Sequence, residues 1–138
     1  MKTRTLALLL GATFLLSSAK TITNFQSDLS EKLIGNWIWK NVINTETQEE
    51  LGIDMITMGM ASEVKTEFKK DGTYIERKLR KGSNEYSNVN EEWKTENDET
   101  LNLKAKDKWR PNKILKLSKD SLLIQMNPKL NLLMIRQK

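Results

Sequence analysis

From Gly35 onward, apolar side chains recur at every second position, in short runs cut apart by turn residues. A period of two marks a strand with one buried face, and no run between these segments reads as a helix. Gly35 to Asn44 places Trp37, Trp39 and Ile43 on one face with Asn41, and Ile38, Lys40 and Val42 on the other. Val64, Thr66 and Phe68 then oppose Glu63, Lys65, Glu67 and Lys69. Asp71-Gly72 follows, a hairpin signal because both positions tolerate positive φ. Thr73 to Arg80 returns with Ile75 and Leu79 on one face beside Arg77, and Gly82-Ser83-Asn84 turns the chain again. Val89, Glu91 and Trp93 share the next inner face, which ends at Asn97-Asp98. Leu101, Leu103, Ala105 and Trp109 alternate until Arg110-Pro111-Asn112 breaks the run. Lys113 to Ser118, the run of Leu122, Ile124 and Met126, and the run opening on Leu130, Leu132 and Met134 bring the count to eight strands.

Eight strands joined in sequence point to an all-β fold, an eight-stranded antiparallel up-and-down barrel. Closure removes both unpaired edges, and a barrel of this size is filled by side chains or holds one small ligand. Ahead of it, Ser27 is placed to cap a short N-terminal helix with Leu29 and Leu33 on one face.

The first residues belong to a different design. Lys2 and Arg4 precede an apolar run from Leu6 to Leu16, and Ser17-Ser18-Ala19 supplies small residues for cleavage. This is the pattern of a secretory signal peptide over residues 1–19, leaving a domain over 20–138. Eleven residues of helix rise only about 16 Å, short of the roughly 30 Å hydrocarbon core, which argues against an uncleaved anchor. The expected location is secreted or periplasmic, with no membrane span after cleavage. Net charge falls from +5 to +3 when Lys2 and Arg4 leave. Such dispersed charge makes no nucleic-acid footprint.

The chain contains no cysteine and no histidine. Disulfides, thiolate nucleophiles, Cys/His zinc sites and histidine-based triads are therefore excluded. Paired carboxylates such as Glu91-Glu92 point to opposite faces of a strand, and no glycine-rich phosphate loop or nucleophile elbow occurs. The reading is non-enzymatic, with no cofactor.

Leu33-Ile34-Gly35-Asn36-Trp37 resembles the Gly-x-Trp opening of lipocalins and of small bacterial lipocalin-like proteins. Phe68-Lys69-Lys70-Asp71-Gly72-Thr73-Tyr74 resembles a hairpin common in the bacterial group, and Ile114 to Met126 its penultimate hairpin. The resemblance implies that Trp37 sits at the closed end and that Arg136, from the last strand, packs across its ring. Gly35, Trp37 and Arg136 are thus structural. The chain departs from typical lipocalins in being shorter, in lacking the long helix after the barrel, and in having no disulfide.

The resemblance also puts the connection after the first strand, Thr45 to Ser62, at the open mouth. That segment opens acidic, with Glu46, Glu49 and Glu50, and then carries Met55, Ile56, Met58 and Met60. Loops this long are usually functional or disordered. Three readings apply: a lid whose methionines touch an apolar ligand, a helical turn plugging the mouth as ordinary core, or a Met-x-x-Met-x-Met donor set for Cu(I). By depth, Trp93 belongs toward the closed end with Trp37, while Ile43, Leu79, Trp109 and Met126 approach the mouth. Ligand contacts are accordingly expected from Trp109, Met58, Met60, Ile43, Leu79 and Met126, with Arg77 and Glu91 facing inward to meet a polar group. The expected partner is a small apolar or amphipathic molecule. The alternative is a secreted protein-binding module, of inhibitor or immunity type, docking through the barrel loops.

Overall fold

The computed structural model describes residues 28–138. The signal segment 1–19 and the Ser27 cap lie outside the described residues. A short helix α1 (residues 28–33) leads into β1 (Gly35–Asn44), then β2 (Glu50–Leu51), the helical turn α2 (Ile53–Ile56) and β3 (Ala61–Phe68). The chain continues through β4 (Thr73–Arg80), β5 (Tyr86–Glu96), β6 (Thr100–Ala105), β7 (Lys108–Leu117), β8 (Ser121–Asn127) and β9 (Leu130–Arg136). Every neighbouring pair from β3 to β9 is antiparallel, β1 joins β3, and β9 returns to β1, so eight strands close a ring. β2 is a two-residue ribbon on the edge of β1, outside that ring.

Each turn has a local cause. At Asp71-Gly72, Gly72 adopts φ +88°, and the Asp71 carboxylate accepts hydrogen bonds from the Thr73 amide and hydroxyl at 3.0 and 2.6 Å. Those contacts hold the Asp71 carboxyl below the usual carboxylate range. Between β6 and β7, Lys106 and Asp107 both take left-handed φ, 50° and 64°, which makes a two-residue hairpin turn. This corrects the expected break at Arg110-Pro111-Asn112. β7 runs straight through Pro111, where it pairs with Asn102 of β6, and β8 begins pairing only at Lys113. Proline is tolerated because the strand has a single neighbour there.

The two ends of the barrel differ. Toward the α1 end every strand is paired on both sides, and Trp37, Phe68, Tyr74, Trp93, Leu101, Leu122 and Met134 fill the interior. Phe68 stands at the centre of a tilted aromatic group, 5.2 Å from the Trp93 ring and 6.2 Å from the Tyr74 ring. Leu33 of α1 is fully buried beneath it, and its carbonyl accepts the Trp37 indole N–H at 2.9 Å. Toward the other end the pairing stops early at three seams. β1 pairs with β3 only over Gly35–Ile38, β5 with β6 only over Trp93–Glu96, and β7 with β8 only from Lys113. One end is sealed; the other is a mouth.

Candidate ligand site in the barrel mouth

The sealed end brings Gly35, Trp37 and Arg136 together. The Arg136 guanidinium lies 4.2 Å from the Trp37 ring centroid. It also donates hydrogen bonds to the carbonyls of Ile34, Lys32 and Lys119, at 2.9, 2.5 and 2.8 Å. Gly35 takes φ +133°, and a Cβ there would sit 2.7 Å from Arg136 Nη1. A side chain at position 35 is strained by the backbone conformation and would push the Arg136 guanidinium from its place.

Above this plug the inner wall divides into two chemistries. Strand register decides the faces: Phe68 pairs with Tyr74, Thr66 with Glu76 and Val64 with Lys78, so Tyr74, Glu76 and Lys78 share the inward face with three buried residues. On β5, Glu91 lies opposite Tyr74, and on β7, Arg110 lies opposite inward Leu103. The Tyr74 hydroxyl donates to the Lys104 carbonyl at 3.0 Å. Burial, with Glu76 and Glu91 adding to it and Arg110 opposing, pushes its pKa up to about 12. Lys78 pairs with Glu76 at 3.2 Å. Across the barrel, β1, β8 and β9 present Val42, Ile124, Leu132, Leu130 and Met126, the first three buried. A polar wall carrying both signs of charge thus faces an aliphatic one.

Several residues expected in this lining lie elsewhere. Ile43 turns outward because a bulge between Trp39 and Asn41 inserts one residue and brings Val42 to the inner face. Trp39 stays on the inner side, donating its indole N–H to Thr66 at 2.9 Å. Arg77 and Leu79 face outward, since the Asp71-Gly72 hairpin fixes the Phe68–Tyr74 pair and a one-residue slip would expose every core residue. Outside, Arg77 pairs with Glu67 at 3.1 Å. Trp109 is also external: the two-residue turn at Lys106-Asp107 reverses the parity expected from Ala105. There its ring packs under Lys94 Nζ at 4.2 Å and Lys104 Nζ at 5.8 Å. Met126 and Glu91 are on the inner face as expected. Tyr74, Glu76 and Arg110 were not anticipated; counting back from the turn with Phe68 as an inward residue would have found Tyr74 and Glu76.

The long connection contains the helical turn of the plug reading, but packs through other residues. Ile53 is buried against Ala61 and Val64, with Ile56 and Trp39 alongside, whereas Met55, Met58 and Met60 stand out in solvent. Neither Met58 nor Met60 lines the interior.

No family model and no curated protein matches the chain. Solved structures do. The crystal structure of a lipocalin-like protein from Bacteroides uniformis ATCC 8492 aligns with a TM-score of 0.58 at 14% identity, over 77% of this chain and 99% of that one. An uncharacterized protein from Bacteroides eggerthii DSM 20697 aligns with a TM-score of 0.57 at 11% identity, over 76% and 99%. The architecture is a lipocalin-like closed barrel.

Proposed function

We propose that this lipocalin-like barrel is an exported, non-enzymatic binding protein that takes one small amphipathic molecule into its mouth. The observation that carries the reading is the divided wall. Met126 and Leu130, half-buried beside Val42, Ile124 and Leu132, offer aliphatic surface to a hydrocarbon portion, while Glu91 and Arg110 offer a carboxylate and a guanidinium to a head group. Pockets that bind such molecules combine an apolar lining with a few convergent polar groups. Because Lys78 already engages Glu76, the groups left over are one carboxylate and one guanidinium, which suit a zwitterionic head best. The seams between β5 and β6 and between β7 and β8 supply the opening, while α2 packs over the one between β1 and β3. Export rests on the signal pattern of residues 1–19.

One observation favours a second reading, in which the barrel docks on another protein. Ile38, Ile43, Leu123, Leu133 and Ile135 occupy outward positions on three adjacent strands, and no charged residue falls on the outward face of β8 or β9. The amide oxygens of Asn41 and Asn131 are buried on that face without a hydrogen-bond partner. Native mass spectrometry of protein purified from its own host separates the two. One retained small molecule per chain is the expected result. A co-purifying protein on a barrel with nothing inside would overturn the carrier reading.

A further inference from the structure

Met55, Met58 and Met60 have no task in the packing. Methionine is among the residues most often buried, yet these three are 65, 87 and 69% exposed within one six-residue stretch. Ile53 and Ile56 do the packing of this segment, so the thioethers are not a plug that failed to seat.

The backbone beneath them is tightly closed. The Met58 amide donates to the Met55 carbonyl at 3.3 Å, Gly59 to Asp54 at 2.6 Å, and Met60 to Thr57 at 3.1 Å. The Thr57 hydroxyl bonds to the Ile53 carbonyl at 2.9 Å and to both the amide and carbonyl of Ala61 at 3.1 Å. Lys81 of the next mouth loop ties down the Met60 carbonyl at 3.0 Å. Met58 itself holds φ 56°, a left-handed conformation unfavourable for any side-chain-bearing residue. The result is one hydrogen-bonded turn that carries three solvent-exposed methionines.

Charge supplies an independent argument. Residues 45–60 contain Glu46, Glu49, Glu50 and Asp54 and no lysine or arginine, in a chain whose net charge is +5. The segment is acidic along its own length, with Lys40 and Lys81 beside Asp54 on its barrel side. Hard cations have no matching site, since no group of three or more Asp, Glu, His or Cys stands together among the described residues. Thioethers are soft donors that select Cu(I) over zinc, calcium or magnesium.

We propose that the turn carrying Met55, Met58 and Met60 is a three-thioether site for a soft monovalent cation, Cu(I) or its redox-inert counterpart Ag(I). The donors are neutral, so binding releases no proton and changes no oxidation state. The acidic residues of the segment offset the charge that arrives.

The test is titration of the full chain, labelled with 13C at the methionine methyl groups, with Ag(I). The expected result is one ion per chain, with the signals of Met55, Met58 and Met60 shifting together and those of Met126 and Met134 unmoved. A triple Met55→Leu, Met58→Leu, Met60→Leu variant keeps the barrel's circular dichroism, because the replaced side chains are exposed, and loses the ion. Zn(II) leaves all signals in place. Independent shifts of the three signals, unchanged uptake by the triple variant, or an equal response to Zn(II) would overturn the proposal.

Discussion

Arg136 stabilises the closed end through four separate contacts, one with the Trp37 ring and three with backbone carbonyls that α1 and the β7–β8 turn leave open. Replacing it with alanine removes the cation–π contact and strands those carbonyls. The expected cost is about 3 kcal/mol in urea unfolding, and Arg136→Lys restores only a minor part because an ammonium cannot span the same fork. Tyr74 gives a second test at this scale. Its folded-state pKa, about 12, lies above the ordinary phenol value of 10.0, so folding favours the neutral phenol. That contribution is whole below pH 10.0 and is lost as pH rises toward about 12. Thermal unfolding across this window should therefore fall more steeply for wild type than for Tyr74→Phe; parallel curves would contradict the assignment. Gly35, Trp37 and Arg136 were legible in the sequence because each role follows from residue type at a motif position. Trp109 was not, because its face depends on a turn made of two residues, Lys106 and Asp107, with no glycine or asparagine to announce it.

At the scale of elements, the alternation itself was sound and its phase was not. β1, β4 and the antiparallel order of the eight strands follow directly from the period-two pattern. Phase fails wherever one residue is inserted or omitted, as at the Lys40 bulge, where Ile43 and Val42 exchange faces. It also fails where apolar residues lie outside, as Ile75 and Leu79 do on β4, so that hydrophobicity alone picks the wrong face. The β6–β7 turn offers a constructive test. Lys106 and Asp107 carry the conformational cost of positive φ without the residues that tolerate it best. Replacing them together by Asn and Gly should raise stability by about 1 kcal/mol, seen as a higher urea midpoint with an unchanged slope. No gain, or a loss, would mean that the turn is held by contacts other than its own backbone preference.

At the scale of the whole molecule, the barrel separates stability from recognition along its axis. The sealed end buries the aromatic group and the helix cap, while the mouth keeps charged side chains on β4, β5 and β7 that a purely structural interior would exclude. That division carries the functional account, and titration calorimetry with dodecylphosphocholine below its micellar threshold tests it most directly. Wild type should bind one molecule per chain. Met126→Trp, which fills the apolar side, should abolish binding, and Glu91→Gln and Arg110→Gln should each weaken it about tenfold, or roughly 1.4 kcal/mol. Trp109→Ala, on the outer surface, should bind as wild type does. No binding by wild type, binding that survives Met126→Trp, or binding lost with Trp109→Ala would place recognition outside the barrel and contradict the account.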